Sequence, residues 1–256
     1  MQVGKLRIQK NDVSQLCILA GQIMLESGAE TYRVEDTMLR IAYAFGVDYA
    51  ESYVAPTVII FSIDGGYSTR TEMKRIEKRG TNLNKIALVN QLSREISAGM
   101  WTLEEAFERL RAIQRGKIVY PLWLQVIAAG LVSGFCVILF KGSWEDFLPG
   151  LIIGSHSYYA FILLDHMTKL KFFSEFTAAI LIGVLSHLAI HFGIGHQMDK
   201  IVIGSVMPLV PGLLITNAIR DLMAGHLVSG LSKGTEALLT AFAIGSGIAI
   251  VLQFIK

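Results

Sequence analysis

Charge is in short supply in this 256-residue chain: 17% of residues are charged, 52% are hydrophobic, and mean hydropathy is +0.50. That balance excludes an ordinary soluble domain of this size and points to a membrane protein in contact with lipid. A net charge of +2 is too small for a nucleic-acid surface, and no basic, aromatic-interleaved face is present, so no nucleic-acid partner is expected. Only two cysteines occur, Cys17 and Cys136; they stand at no metal-ligand spacing and read as buried thiols. Every histidine lies after Pro121, which leaves the preceding part without a readable Ser-His-acid triad. A phosphate-binding glycine loop is also missing, so ATP-driven chemistry is not expected and no cofactor or metal is implied. The opening MQVGKLRIQKNDVSQL lacks the apolar core of a signal peptide, which predicts that the first region stays in the cytoplasm.

What charge there is sits mostly at the front. Thirty of the Asp, Glu, Lys and Arg residues precede Pro121 and fourteen follow it. This predicts an α+β cytoplasmic domain over residues 1–117, followed by an all-α polytopic membrane domain over residues 118–256. In the first, Val13, Leu16, Ala20, Ile23 and Met24 recur at helical spacing, as do Val34, Met38, Ile41, Ala42 and Phe45. Between them, Ser27 and Glu30 stand at capping-box spacing and Gly28 is placed to close the first helix. YAESYV, TVIIFSI and YSTRT read as strands, the last two joined through Asp64-Gly65-Gly66 as a hairpin. TLEEAFERLRAI reads as a helix with a capping box from Thr102 to Glu105.

After Tyr120, five uncharged apolar runs are each about long enough to cross roughly 30 Å of hydrocarbon as a helix, predicting five spans. Arg115, Lys117, Lys169, Lys171, Arg220 and Lys233 fall on one side, against Lys141, Lys200 and Lys256 on the other. The first side is therefore expected to be cytoplasmic, in the plasma (inner) membrane. Small residues at four-residue spacing (Gly130 and Gly134, Gly150 and Gly154, Ala241 with Gly245 and Ala249) predict close helix packing.

Two of the five prolines, Pro208 and Pro211, stand three residues apart inside the fourth run. Neither donates a backbone hydrogen bond, so the carbonyls of Gly204 and Met207 are expected to lose their helical partners. A break of this kind in lipid marks a candidate cargo site. If a helix resumes after Gly212, then Asn217, Asp221 and Gly225 share a face, with Thr216 and Arg220 beside it. Asp221 is suited to a proton or an ammonium group, and Arg220 to a carboxylate. The plainer alternative makes Arg220 and Asp221 the cytoplasmic end of a span and the prolines mere kinks. His156 is a weaker candidate for a polar path, and Glu236 and Glu175 for gating at helix entrances. His187, His191 and His196 lack the ligand geometry expected of zinc.

LESGAETYRVEDTMLRIAYAFGV, APTVIIFSI, TLEEAFERL and PLVPGLLITNAIRDLMAGHLVSGLSKGTEALL together resemble the threonine/serine exporter family, in order and over nearly the whole chain. The resemblance implies proton-motive-force-driven secondary export of small hydrophilic metabolites, with L-threonine and L-serine the leading substrates. Long members carry two membrane halves and this chain carries one. It therefore resembles the larger subunit of the split form, whose partner is a small all-membrane subunit, and a higher oligomer is compatible with this. Some split pairs are associated with export of succinate, a C4-dicarboxylate, which is the alternative. The family's marked positions fall on Glu26, Gly28, Glu35 and Pro56, and on Pro208, Pro211, Gly212, Asn217, Asp221 and Gly225. Independently, an odd span count suits a second five-span unit that completes a pseudo-symmetric pair. From other classes, a membrane-anchored hydrolase using Glu26 or Glu35 and a sensory subunit remain competing readings.

Overall fold

A computed structural model of the chain describes residues 2–64, 69–116, 120–168, 170 and 172–254. The chain forms two compact units, one made of Met1–Ile118 with Ile215–Gly234, the other of Val119–Leu214 with Thr235–Lys256. Segment 215–234, which the sequence assigns to the membrane domain, thus packs with the front of the chain.

In the first unit, α1 (Gln2–Glu26) and α2 (Thr31–Ala44) precede strands β1 (Ala50–Ala55), β2 (Val58–Asp64) and β3 (Thr69–Arg75). The strands form an antiparallel meander in the order β1-β2-β3, with Ala50 opposite Ile63 and Val58 opposite Arg75. The Gly65-Gly66 turn of the expected hairpin lies outside the described residues. Along β2 the side chains alternate, and Ile59, Phe61 and Ile63 face a core shared with Leu16, Ile23, Met38 and Ile41. Two further helices, α3 (Leu83–Ser97) and α4 (Leu103–Arg115), close over that core through Val89, Leu92, Ala106 and Leu110. Thr102 and Glu105 form the expected capping box at the start of α4.

Helix α1 ends as anticipated at Gly28, where φ is +85° and the backbone N–H of Ala29 returns to the carbonyl of Met24. The Ser27–Glu30 capping box does not form. Glu30 is itself the N-cap residue of α2, and its side chain makes no capping bond because two arginines take it.

The second unit holds α5 (Leu122–Leu139), α6 (Phe147–Thr168), α7 (Phe173–His191) and α8 (Met198–Val206). The chain continues through a 3-10 turn over Met207–Leu209 into α9 (Gly212–Met223) and then α10 (Leu227–Phe254). Four of the described helices are long and apolar enough to cross a membrane, and five if the bent pair Met198–Leu209 and Gly212–Met223 counts as one span. Small residues set the approach of α5 to α6: a Cβ on Gly130 would stand 2.0 Å from Ser155 Oγ, and one on Gly154 equally close to Ser133 Oγ. The stripe on α10 behaves differently from expectation. Ala241, Gly245 and Ala249 are exposed, and among the described residues nothing lies within 4 Å of a Cβ built on Gly245. Helical phase is the reason: α10 buries Ala243, Ile244, Gly247 and Val251, and Gly247 packs on the Phe176 carbonyl of α7.

Candidate functional site

The proline break exists, but its backbone is not bare. Helices Met198–Leu209 and Gly212–Met223 are bent by 61° at this point. The Met207 N–H turns back to the Gly204 carbonyl, and Val210 N–H reaches the Met207 carbonyl at 3.2 Å. The two carbonyls expected to be unpaired are therefore satisfied, because the chain tightens from α to 3-10 spacing where Pro208 removes a donor. Pro211 directly precedes α9, where its missing N–H costs no helical bond. Gly212 N–H bonds the Val210 carbonyl at 2.8 Å and completes the corner.

Beside the break, within the second unit, lies a cleft of about 470 Å³ lined by Tyr120, Gln125, Ala129, Val132, Tyr158 and Pro208. Its walls are mostly apolar. Gln125 Nε2 donates to the Tyr120 carbonyl at 2.7 Å, leaving the amide oxygen and the Tyr158 phenol as polar groups for orienting a solute. His156, two residues from Tyr158, is exposed on α6, and its Nδ1 lies 2.8 Å from the Ile152 carbonyl of its own helix. Glu236 is half-buried on α10. Glu175 is buried in the first turn of α7, and its Oε2 has no hydrogen-bond partner among the described residues.

Segment 215–234 carries a different constellation inside the first unit. The helix face predicted from spacing is real: Asn217 and Asp221, one turn apart on α9, both address the turn between α1 and α2. Asn217 Nδ2 donates to the Gly28 carbonyl at 2.9 Å. Asp221, with no solvent exposure, accepts from the Thr31 backbone N–H at 2.9 Å and from Thr31 Oγ1 at 3.0 Å. Lys233 of α10 places Nζ 2.7 Å from Asp221 Oδ2 and 3.2 Å from the Ala29 carbonyl. Arg220 donates to Glu30 Oε1 at 2.5 Å, and Arg33 holds the other Glu30 oxygen at 3.2 Å. Burial alone would raise the Glu30 carboxyl, but its own backbone N–H and the two guanidiniums hold it below the usual carboxylate range.

Gly225 stops α9 with φ of +87°, and the His226 N–H returns to the Asp221 carbonyl at 2.9 Å. The reversal places His226 Nε2 3.6 Å from Glu35 Oε2, while Glu35 Oε1 accepts the Val54 N–H at 2.8 Å. Burial pushes the Glu35 carboxyl up, outweighing the Val54 amide and His226, and the nearby Asp221 adds to the rise. Pro56 is buried in the β1–β2 turn, and Glu26 ends α1 with its carboxylate bonded to Gln22 at 2.7 Å.

The structure thus brings Gly28, Glu35, Asn217, Arg220, Asp221 and Gly225 together, and leaves Pro208, His156 and Glu236 in the other unit. Thr31, Lys233 and His226 complete the cluster although the sequence reading gave none of them a role there. The signal for Lys233 was present: a lone ammonium between apolar stretches of a helix needs an acid partner. Chemically the Asp221 centre is closed, because each oxygen is occupied and water is excluded. It binds the turn 28–31 to α9 and α10 and presents no open face.

The sequence matches the family described as "Putative threonine/serine exporter" over residues 15–255. It is 26% identical to the "Probable succinate transporter subunit YjjP" of Escherichia coli and 24% identical to that of Klebsiella aerogenes. The alignments cover 95% of this chain in both cases, with 95% and 94% of those proteins. The "Probable threonine/serine exporter" of Mycobacterium tuberculosis is 25% identical over 94% of this chain, which spans 46% of that longer protein. No solved structure matches.

Proposed function

The chain belongs to the threonine/serine exporter family, whose members are transporters and not enzymes, and on that premise we propose that it is one subunit of a secondary exporter of small hydrophilic metabolites driven by the proton-motive force. The break at Pro208–Pro211 beside the Tyr158–Gln125 cleft carries the reading. A mostly apolar cleft with few polar groups, next to an interrupted apolar helix, suits a small solute that leaves its water behind. In this reading the first unit lies on the cytoplasmic side, and the cluster around Asp221 holds the segment that leaves the break.

The cargo is a small carboxylate. L-Threonine and L-serine follow from the family's description, and succinate is favoured by the likeness to the YjjP subunits over their whole length. A second membrane subunit completes the path. That rests on the word subunit in the relatives' names, on the tuberculosis exporter's extra length, and on the exposed Ala241–Gly245–Ala249 stripe, which suits close approach of another helix.

The deciding measurement is flux of labelled threonine, serine and succinate in vesicles holding this chain with its partner, with and without a pH gradient. Gradient-dependent movement of one of them supports the proposal. Movement of none, with both subunits folded, points to a sensory subunit instead.

A further inference from the structure

Among the described residues four acidic side chains are buried: Glu30, Asp146, Glu175 and Asp221. Three of them have a donor on each carboxylate oxygen. Glu30 is held by Arg220 and Arg33, and Asp221 by Thr31 and Lys233. Asp146, in the link between α5 and α6, accepts the His196 and Gln197 N–H groups on Oδ1 and the Ser143 hydroxyl on Oδ2. Glu175 differs from all three: at 8% exposure, its Oε2 has no hydrogen-bond partner among the described residues. Ser174, the residue before it, has no exposure, and its Oγ is likewise without a partner among them.

Glu175 begins the face that α7 buries, followed by Ala178, Ala179, Ile182 and Ser186 at helical spacing. The same core takes Ile153 of α6, Val206 of α8, Leu209 of the 3-10 turn and Ile244 of α10, so the acid lies on the helix face that packs with the proline break. Glycine brings α10 against this end of α7: a Cβ on Gly247 would stand 2.6 Å from the Phe176 carbonyl, one residue from the acid. No ionisable group on the helices packed against α7 pairs with Glu175 among the described residues. On α6, Tyr159, Asp165 and His166 are exposed, His156 turns to the Ile152 carbonyl, and Tyr158 lines the cleft beside Pro208. Asp199 and Lys200 of α8 pair with each other at 3.1 Å, and Glu236 of α10 has contacts of its own. Further along α7 itself, His187 and His191 stack on one another.

A carboxyl group withdrawn from water inside an apolar bundle, with no donor or counter-ion on one oxygen, marks a place where something from outside the chain is taken up. We propose that Glu175 is the proton-carrying group of the exporter, protonated on Oε2 in one state of the cycle and ionised in another. This rests on the export reading and deepens it by naming the residue that couples the gradient to transport. The step is one exchange with no further reactant: a proton from water on the outer side forms an O–H bond with the carboxylate, and that bond returns the proton to water on the cytoplasmic side. Lys169 and Lys171 in the link before α7 place this end of the helix at the cytoplasmic side, where a proton moving inward is released as cargo moves out. The Ser174 hydroxyl beside it can donate to the carboxylate or accept from the acid, and so can follow both states. Asp221 cannot serve in its place, because both of its oxygens are taken.

The test compares the unaltered chain with Glu175→Gln by two readouts. In vesicles holding the chain with its partner, Glu175→Gln should lower net flux of threonine, serine or succinate driven by a pH gradient by at least tenfold. Exchange of labelled for unlabelled solute, which needs no net proton movement, should continue. In infrared difference spectra of the full-length chain in detergent, a carboxylic-acid band that follows pH should be present and should vanish in Glu175→Gln. Flux in the variant that still follows the pH gradient overturns the proposal, as does a band that survives the substitution. Loss of exchange together with net flux, in a folded variant, would make Glu175 a cargo ligand, and flux that follows a sodium gradient would make it a cation ligand; either overturns the proton assignment. A chain that moves none of the three solutes, yet shows the band and loses it in Glu175→Gln, would refute the export reading and leave the proton site standing. Where Glu175→Gln does not fold, Glu175→Asp decides: a band displaced in frequency supports the assignment, and an unmoved band overturns it.

Discussion

Lys233 Nζ stands 2.7 Å from Asp221 Oδ2, with the aspartate at 0% and the lysine at 5% exposure, across the reversal between α9 and α10. Two opposite charges withdrawn from water in this way depend on each other more than they stabilise the fold, since each exists there only because of its partner. Thr31 supplies the remaining donors, and the pair becomes a fastening for the first turn of α2.

Asp221→Asn leaves the Lys233 ammonium buried without its counter-charge, and a loss of about 3–5 kcal/mol is expected. The first unit should unfold at lower temperature, and export should fall with it. The double variant Asp221→Asn/Lys233→Met removes the stranded charge and should recover most of the stability, read by thermal unfolding in detergent. Export that returns along with stability would show that the carboxylate fastens the segment and carries no proton.

Gly28 and Gly225 both sit at positive φ, yet they should differ in cost. Gly225→Ala meets open space and pays only for the left-handed backbone, about 1 kcal/mol. Gly28→Ala adds a collision with the Gly80 carbonyl and should cost visibly more. Equal unfolding midpoints for the two variants would contradict the close fit of the turn against residues 80–81.

The two glutamates of the cluster give opposite pH dependences. Glu35 has a folded pKa above its unfolded value, so its contribution to stability is best below the ordinary glutamate range and declines as pH rises through that range towards the folded value. Glu30 has a folded pKa below its unfolded value; its contribution is complete above the ordinary range and is lost as pH falls through the depressed value. Glu35→Gln should flatten the decline on the alkaline side, and Glu30→Gln the loss on the acid side. Unfolding midpoints measured from about pH 3 to about pH 8 check both slopes.

Pro208→Ala restores the donor that the 3-10 turn compensates for. The segment should straighten, the wall of the Tyr158 cleft should shift, and flux should drop by at least tenfold without loss of stability. Undiminished flux would separate the cleft from the transport path.

Much of this architecture could be read from residue order. The TVIIFSI strand, the Thr102–Glu105 box and the apolar runs each have a local physical cause and appear where expected. α3 went unread because Leu83, Ala87 and Leu88 blur its stripe of Ile86, Val89, Leu92 and Ile96. The partners of Asp221 were illegible for another reason. Thr31 lies 190 positions earlier in the chain, and Lys233 sits beyond a helix reversal at Gly225 that shifts the register between them. Spacing could place Asn217 and Asp221 on one face, but not say that the face would meet a turn rather than a lipid-embedded path.

Because Ile215–Gly234 belongs with the front of the chain, the first unit is discontinuous in the gene's reading order. A ribosome must deliver everything from residue 119 to residue 214 before the acid and ammonium that secure Thr31 even exist. The leading helices and sheet therefore wait, with that turn unsecured, until most of the greasy remainder has left the exit tunnel, and a fragment cut at residue 117 should show a looser, more protease-sensitive turn than the same residues in the finished protein.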